Sequence, residues 1–411
     1  MKASIHCSAR WMPEGAHHRA LKAEAEVIKG DLSDLLWDLN IYRHALQRAV
    51  DALWDLDKTL KKSQAHQLLY PLLKGYGFRA HIARNTYSTA LALVKSAKQN
   101  MGSKPTVKRL SARLDYQDAR VDISNNTVKI IIRDKWYTLK PKHRREYIKR
   151  FKGLRWKEVH VKYENGKLYV SIVFEQRYDP YTPRGIVALD VNLRSITIYD
   201  GGEVKRLKAR FIDALSKRKR AEELQKKHPR RWRYSKRILG RISSLHRRAR
   251  NIVIDYCWKL AKQVVLYAKR RRYAITLEDL EGLRDAMNSK SDRVVWKLAV
   301  FAYRRLQHAV ISKALEYNVP VIVVDPRNTS TACPRCGERL VYIHRLGICR
   351  RCGFTRDRDA IGAMNIWLRA LHAYAGEPGS SQRAPAVKNE TRQSGGSMSE
   401  GMKKTITIIQ K

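Results

Sequence analysis

The sequence predicts a multidomain protein that combines an α+β part with an α/β part, because the hydrophobic periodicity changes along the chain. From about Asp31 to Met101 apolar residues recur at helical spacing, which predicts a helical module. From about Val121 to Glu175 the period is two, which predicts an antiparallel sheet or small barrel, with Asn165-Gly166 as a hairpin turn. From Gly185 to Asp325 buried strands alternate with helices, which predicts an α/β layer.

The helical module is expected to bury one apolar stripe. An example of such a stripe is Leu35, Leu39, Tyr42, Leu46, Val50 and Leu53.

In the α/β part, the segment from Gly185 to Asp200 predicts a strand, a tight turn and a second strand. Asn192 lies at the turn, where its tolerance of positive φ would be useful. A long helical region is expected from about Lys205 to Ala268, with a break at Pro229. The remaining predicted elements are a strand from Tyr273 to Leu277, a helix from about Val294 to Asn318 and a strand from Val319 to Val324.

The charge of the chain favours nucleic acid as the partner. The sequence has 84 Lys and Arg against 38 Asp and Glu, a formal net charge of +46, and such an excess repels itself unless a polyanion is bound. An acidic membrane surface is a weaker alternative. The densest basic runs lie in the predicted long helical region, where a bound phosphate backbone explains them better than a solvated surface does. Candidate nucleic-acid contacts there are Arg230, Arg231, Arg233, Arg247, Arg248 and Arg250.

The sequence contains no run of about 18 or more apolar residues, and its first residues lack the apolar core of a signal peptide. We therefore expect a cytoplasmic protein, associated with the nucleoid of a prokaryote when in use. From about Gly376 the chain is rich in Ser, Gly, Pro and charge, which predicts a disordered tail.

Two pairs of cysteines have the spacing of a metal site. Cys333 and Cys336 form one C-x-x-C pair, and after twelve residues Cys349 and Cys352 form a second. Two such knuckles close a tetrahedral four-sulfur shell of the zinc-ribbon type, and four protein ligands leave no open position. We therefore predict a structural Zn²⁺, with His344 facing solvent or phosphate.

Acidic residues follow the predicted core elements. Asp190 and Glu278 each end an apolar strand, and Asp357 and Asp359 directly precede an apolar helix. Carboxylates are costly there unless they are paired or bind metal. If they converge, two Mg²⁺ ions held by them would activate a water against a phosphodiester. Taken singly, each acid could equally be a helix cap or an ion-pair partner.

The motifs around these residues resemble a known family. In order and spacing, VALDVNL at Asp190, TLEDL at Glu278, VVDPRNTSTACPRCG and CGFTRDRDAIGAMNI resemble the RuvC-like nuclease domain of TnpB proteins, relatives of type V CRISPR effectors. The likeness covers roughly Gly185 to Leu368. It implies an RNase H-like fold with an inserted zinc ribbon, in which Asp190, Glu278 and Asp359 are the catalytic acids that hold Mg²⁺.

The resemblance also implies a domain layout. A β-barrel wedge domain interrupted by a helical recognition lobe would precede the nuclease domain. The expected ranges are 1–30 for the first part of the wedge, 31–105 for the helical lobe, 106–182 for the rest of the wedge, 183–370 for the nuclease domain with the ribbon at 329–356, and 371–411 for the tail.

The function implied by the resemblance is an RNA-guided, Mg²⁺-dependent DNA endonuclease encoded by a transposon. Its partners would be a guide RNA from the transposon end and double-stranded target DNA. The alternative is a guided DNA-binding regulator that does not cut, which one departure from the family motivates. The usual Asn two residues after the last acid is Ile361, which is expected to remove a polar side chain close to the metal site. At the first acid, Asn192 replaces the often-seen Gly. A third hypothesis, a transposase that performs strand transfer itself, has less support, because the sequence shows no His-hydrophobic-His motif with a nucleophilic Tyr.

Overall fold

The computed structural model describes residues 9–11, 15–56, 60–143, 145–192, 195–279 and 293–375. Residues 376–411 of the predicted tail lie outside these residues, whereas residues 371–375, which the expected range 371–411 assigned to the tail, are helical. The described chain divides into two compact units. We call Ala16–Arg177 the inserted unit, and the described residues on either side of it in the chain the main unit.

Strands and helices alternate in groups along the chain up to Tyr178. They are β1 (Ala9–Trp11), β2 (Gly15–Lys29), α1 (Leu32–Trp54), α2 (Lys62–Lys74), α3 (Ala80–Gln99), β3 (Leu110–Asp115), β4 (Ala119–Asp122), β5 (Thr127–Ile131), β6 (Trp136–Lys142), α4 (Arg145–Ile148), β7 (Arg155–Glu164) and β8 (Lys167–Tyr178).

The remaining elements belong to the main unit. They are β9 (Gly185–Val191), β10 (Ser195–Tyr199), β11 (Val204–Lys208), α5 (Phe211–Lys227), α6 (Lys236–Arg271), β12 (Tyr273–Glu278), α7 (Arg293–Tyr317), β13 (Val321–Val324), β14 (Val341–Ile343), β15 (Leu346–Ile348), β16 (Thr355–Asp357) and α8 (Arg358–Ala375).

The inserted unit contains the predicted helical module and sheet. Asp31 is the N-cap of α1. Its carboxylate accepts hydrogen bonds from the backbone N–H groups of Ser33 and Asp34 at 2.6 and 3.1 Å. The predicted apolar stripe of α1 is buried throughout. Helices α1 to α3 lie in the chain between β2 and β3, so they interrupt one sheet of strand order β3-β7-β8-β2-β6-β5-β4. Asn165 and Gly166 both have positive φ and join β7 to β8, which confirms the predicted turn.

In the main unit, a mixed sheet has the order β1-β13-β12-β9-β10-β11. Strands β9, β12 and β13 are parallel, whereas β10 and β11 are antiparallel to their neighbours. Alternate residues of β9 pack on opposite sides. Val187 and Leu189 share a core with α5, α6 and α7, and Ile186 and Ala188 share one with α8. The sheet therefore lies between two helical layers, as an α/β layer requires.

The structure corrects two boundaries in the sequence analysis. Residues from Val204 form β11 and pair with β10, so the helical region begins only at Phe211. The two apolar residues of this strand, Val204 and Leu207, are three positions apart and the other three residues are basic, so the sequence shows no period of two there. In addition, β1 pairs with β13 in the main unit, so the range 1–30 does not belong to one domain. The predicted break at Pro229 is confirmed, because α5 ends at Lys227 and α6 begins at Lys236.

None of the helices in the described ranges combines the length and the apolarity needed to cross a membrane.

Candidate functional site

A cavity of about 710 Å³ in the main unit brings the three predicted catalytic acids together. Asp190, Glu278 and Asp359 all line it, although they lie far apart in the sequence. Asp190 and Glu278 are half-buried, and Asp359 is buried. The convergence predicted from the sequence is therefore confirmed, while the catalytic role of the acids stays a prediction.

Parallel pairing places two of the acids at one edge of the sheet. Thr276 of β12 is in register with Ala188 of β9, and Glu278 and Asp190 each follow two residues later. Because side chains alternate between the faces of a strand, both acids continue the face that carries Ala188, which packs with α8. The carboxyl ends of parallel strands commonly bind ligands in α/β sheets.

The start of α8 supplies the third acid. The carboxylate of Asp357 accepts a hydrogen bond from the backbone N–H of Asp359 at 2.9 Å, which caps the helix. Asp357 also forms an ion pair with Arg206 at 2.5 Å. Asp359 instead lies in the first turn of α8 and lines the cavity. The sequence did not decide which of these two aspartates lies at the predicted metal site. In the structure Asp357 caps the helix, and Asp359 lines the cavity.

A glycine lets α8 approach the first acid closely. A Cβ atom at Gly362 would lie 3.2 Å from Cγ of Asp190, which is a tight contact. A larger residue at this position would press against the Asp190 carboxylate. Sequence reasoning missed this role, because only the packing of α8 on β9 creates it.

The charges in the cavity are only partly compensated. Burial, followed by the negative charges of Glu278 and Asp359, raises the pKa of Asp190 to about 7. Burial also raises the pKa of Glu278, although a hydrogen bond from Thr329 and the charge of Arg369 act in the opposite direction. Arg345 forms an ion pair with Asp359. Carboxylates that are forced together in this way favour a bound cation, so this donor set fits a divalent metal ion.

Other side chains of the cavity escaped the sequence analysis. The Tyr303 hydroxyl has its pKa raised to about 12, mainly by burial and then by the three acids, so it remains a proton donor. Gln307 donates through Nε2 to the backbone carbonyl of Glu278 at 2.9 Å. Both residues lie on α7, and nothing in its sequence marks which face meets the acids.

The role predicted for Asn192 needs correction. It is not among the described residues with positive φ. Its Nδ2 atom instead donates a hydrogen bond to Oδ2 of Asp190 at 2.8 Å, which favours the ionised carboxylate and lowers its pKa. Asn192 therefore contributes a side-chain contact that glycine could not supply.

The four predicted cysteines form a second cluster. All four Sγ atoms lie within 4.8 Å of one another, with 3.6 Å between Cys333 and Cys352 and 3.4 Å between Cys336 and Cys349. These separations are far above the roughly 2.05 Å of a disulfide and fit a tetrahedral zinc shell with bonds of about 2.3 Å. The pKa of the Cys349 thiol is lowered to about 7, mainly because its sulfur accepts a hydrogen bond from the backbone N–H of Cys352. His344 is exposed and is not part of this cluster.

In the described part of the chain, the cysteine cluster alone brings three or more ligand atoms within 4.8 Å of one another. The oxygens of the three acids are therefore spread more widely around their cavity than the sulfurs are in the zinc-ribbon cluster.

The six arginines predicted to contact nucleic acid are exposed on the hairpin of α5 and α6. Arg230, Arg231 and Arg233 lie at or near the turn, and Arg247, Arg248 and Arg250 lie on α6. All six side chains are therefore exposed, and the guanidinium of Arg233 lies 4.7 Å from the centroid of the Trp232 ring.

Comparison with known proteins extends these observations. The family model described as "Cas12f1-like, TNB domain" matches residues 303–366, a range that holds the cysteines and Asp359. The TnpB-like protein MJ1635 of Methanocaldococcus jannaschii is 26% identical over 363 residues, which cover 80% of each chain. The chain belongs to the TnpB family.

Two further likenesses connect this TnpB-family chain to CRISPR effectors. The CRISPR-associated endodeoxyribonuclease Cas12f1 of Syntrophomonas palmitatica is 29% identical over 178 residues, which cover 42% of this chain and 33% of the relative. The structure resembles Cas12f1 in its complex with sgRNA and target DNA, with a TM-score of 0.57, 14% sequence identity and 82% of each chain covered. This structural likeness shows a shared mixed α/β multidomain fold.

Ile361, the expected departure from the TnpB pattern, does not reach the cavity of acids. It is fully buried in a cluster with Cys333, Leu340 and Cys349. The expectation that this residue removes a polar group near the metal site is therefore wrong. The turn of α8 that follows Asp359 directs the side chain at position 361 towards the cysteine knuckles.

We expect the protein to carry one zinc ion per chain, held by the four cysteines, and Cys349→Ser to lose it. Cys349 is buried, so a serine hydroxyl there cannot replace the thiolate. Zinc content by inductively coupled plasma mass spectrometry measures this. Cys257→Ser is the matched control, because Cys257 lies outside the cluster and donates to the Ala302 carbonyl at 3.7 Å. Full zinc in Cys349→Ser would contradict the assignment.

Asp190→Asn should stabilise the protein at pH 8 when no divalent ion is added. The folded state holds a proton on Asp190 up to about pH 7, whereas the unfolded state releases it near pH 4. Folding therefore loses stability as pH rises through this window. An uncharged Asn avoids the loss, a gain on the order of 2 kcal/mol at pH 8 that shrinks towards pH 5. Urea denaturation at both pH values measures it.

Asp325→Asn provides the control of opposite sign. Hydrogen bonds from Arg327 lower the pKa of Asp325, so its ionised form supports folding at pH 8. This variant should lose stability there. If Asp190→Asn also loses stability at pH 8, the account of crowded charge in the cavity is wrong.

Ile361→Asn, which restores the usual TnpB residue, should destabilise the protein. It should not increase the rate of DNA cleavage. An amide buried beside Leu340 and the cysteines lacks the apolar contacts of isoleucine, at a cost of about 2–3 kcal/mol. Ile361→Val, which keeps the site apolar, should cost only about 1 kcal/mol. Urea midpoints of zinc-loaded proteins test this, and faster cleavage by Ile361→Asn would show that position 361 acts on the cavity.

Proposed function

We propose that the chain is an RNA-guided DNA endonuclease, encoded by a transposon, that cuts double-stranded target DNA by Mg²⁺-dependent phosphodiester hydrolysis. The observation that carries this proposal is the convergence of Asp190, Glu278 and Asp359 on one cavity in a chain of net charge +46. A group of partly buried acids in so basic a protein suits a divalent cation held against a phosphate.

In this proposal the main unit is an RNase H-like nuclease domain with an inserted zinc ribbon. The order β11-β10-β9-β12-β13, in which β10 is antiparallel to β9, supports it. The ribbon would consist of the cysteine knuckles and β14 to β16, between β13 and α8. The inserted unit would be the wedge domain with its helical recognition lobe, and the position of α1 to α3 between β2 and β3 supports that division.

The three acids would hold the Mg²⁺ ions. Bound Mg²⁺ would activate the attacking water and stabilise the leaving oxygen of the phosphodiester. The chain's own residues add positive charge and a proton donor at the same cavity. Arg345 and Arg358 line it and could contact the phosphate, and the protonated hydroxyl of Tyr303 could donate a hydrogen bond.

The nucleic-acid partners follow from charge and from the relatives. The solved Cas12f1 complex that the fold resembles holds an sgRNA and target DNA. We propose that a guide RNA from the transposon end and double-stranded DNA bind this chain in the same way, with base pairing supplying the sequence specificity. The exposed arginines of the α5–α6 hairpin, from Arg230 to Arg250, would contact the phosphate backbone.

The alternative function, a guided DNA-binding regulator that does not cut, loses the observation that supported it. It rested on Ile361, and that side chain packs among the cysteines and not among the acids. We therefore favour the nuclease.

The proposal predicts different outcomes at two neighbouring aspartates. Asp359→Asn should lower cleavage by roughly 1,000-fold, since it removes a metal ligand worth several kcal/mol in the transition state. Asp357→Asn should stay within about threefold of the wild type, because asparagine also caps helices well and the lost ion pairs, with Arg206 and at 3.7 Å with Arg345, are surface pairs. Cleavage of target DNA by protein with its copurified RNA, in Mg²⁺, measures both.

Sequencing of the RNA that copurifies with the protein supplies the guide and the target for this assay. Both variants should retain that RNA, because neither position lies on the α5–α6 hairpin. Unchanged cleavage by Asp359→Asn would remove the site assignment. A wild-type protein that binds one discrete RNA and target DNA but leaves the DNA intact would support the regulator.

A further inference from the structure

The loop between β13 and the first cysteine is held by two side chains of α8. Asn365 donates through Nδ2 to the backbone carbonyls of Thr329 and Ala332 at 2.7 and 2.8 Å. Arg369, one turn later on the same face of the helix, donates to the carbonyls of Asp325 and Arg327. Together these hydrogen bonds fix the loop from its beginning at Asp325 to its end.

Fixing this loop also fixes a hydroxyl against one of the acids. The Thr329 hydroxyl lies 2.7 Å from Oε1 of Glu278 and 3.1 Å from the backbone carbonyl of Pro326. A hydroxyl has one proton to donate, and the shorter contact, to a carboxylate, is the stronger one. Thr329 is only 7% exposed, so water does not readily replace it.

We propose that Thr329 is a positioning residue, which orients the carboxylate of Glu278 for a divalent cation, and that Asn365 holds Thr329 in place. This inference rests on the proposed function, in which Glu278 is a metal ligand. Thr329 would contact one carboxylate oxygen of Glu278 and leave the other free for the ion. Neither Thr329 nor Asn365 would touch the metal or the nucleic acid.

The physical reason is the flexibility of a glutamate side chain. Free rotation about its bonds would be lost each time the carboxylate bound a cation, and a hydrogen bond made beforehand removes part of that cost. Gln307 fixes only the backbone of Glu278, through its carbonyl oxygen. Thr329 therefore supplies a restraint on the carboxylate itself.

The loop has other contacts that should survive removal of the hydroxyl. Tyr342 donates to the Ser330 carbonyl at 2.5 Å, and the backbone N–H of Leu340 donates to the Thr331 carbonyl at 2.8 Å. Thr329→Val keeps the volume and branching of the side chain and removes the donor. The substitution therefore separates orientation of Glu278 from folding of the loop.

The test is Mn²⁺ binding by zinc-loaded full-length protein without nucleic acid, followed by isothermal titration calorimetry. Glu278→Gln defines the binding that depends on the acids. We expect Thr329→Val to raise the dissociation constant for Mn²⁺ about tenfold, as loss of an outer contact to a metal ligand typically does. Thr329→Ser, which keeps the hydroxyl, should bind within about threefold of the wild type. Thr329→Ala, which is smaller, should behave as Thr329→Val does.

The inference is overturned if Thr329→Val binds Mn²⁺ as tightly as the wild type, or if Thr329→Ser is as weak as Thr329→Val. It is also overturned if wild-type binding does not differ from that of Glu278→Gln. Because the assay needs neither RNA nor cleavage, a wild-type protein that binds Mn²⁺ but cuts no DNA counts against the proposed nuclease alone. Zinc content and urea midpoint show that each variant is folded.

Asn365 is tested through a double substitution. If it acts through Thr329, Asn365→Ala should weaken Mn²⁺ binding, and the pair Thr329→Val with Asn365→Ala should be no weaker than Thr329→Val alone. Additive losses would show that Asn365 acts by another route. Arg369 is less suitable for this test, because its charge acts on Glu278 directly.

Discussion

Crowding of negative charge is the constraint around which the main unit is built. Three carboxylates line one cavity, and burial together with their mutual repulsion raises the pKa of Asp190 to about 7. Such an arrangement is unfavourable for the protein alone, and the surrounding sheet and helices must hold it in place. Arg345, from the turn between β14 and β15, offsets only part of the charge through its ion pair with Asp359. The remaining imbalance is what makes the cavity attractive to a cation.

Helix α8 connects the parts of this unit. Its first turn carries Asp359, and Gly362 allows close packing against Asp190. Ile361 faces the cysteines, Asn365 holds the loop that precedes them, and Ile366 packs on the sheet. A helix presents successive residues in different directions, so one short segment can join the acids, the cysteine cluster and the core. This explains why Ile361, only two residues after Asp359, can be purely structural.

The cysteine cluster and the acid cavity are separate in chemistry but share their supports. The cysteines offer four ligands and no open position, whereas the acids lie around an accessible cavity. One loop contacts both sites: it ends at Cys333 of the cysteine cluster, and its Thr329 hydroxyl contacts Glu278 in the cavity. A structural zinc site would therefore stabilise the surroundings of the acids without taking part in their chemistry.

Periodicity and spacing in the sequence were sufficient to predict the helical module, the Asn165-Gly166 turn, the strands that carry Asp190 and Glu278 near their ends, and the four cysteines, because each depends on neighbours in the chain. Other features depend on residues that are distant in sequence. The pairing of β1 with β13, the position of Asp359 and not Asp357 at the cavity, the direction of Ile361 and the contact from Thr329 to Glu278 are of this kind. Local patterns fix which element forms and which of its faces is apolar. Only packing decides which polar atoms of different elements come within hydrogen-bonding distance, because that distance is set by the whole arrangement of the sheet, α8 and the loop between β13 and the cysteines.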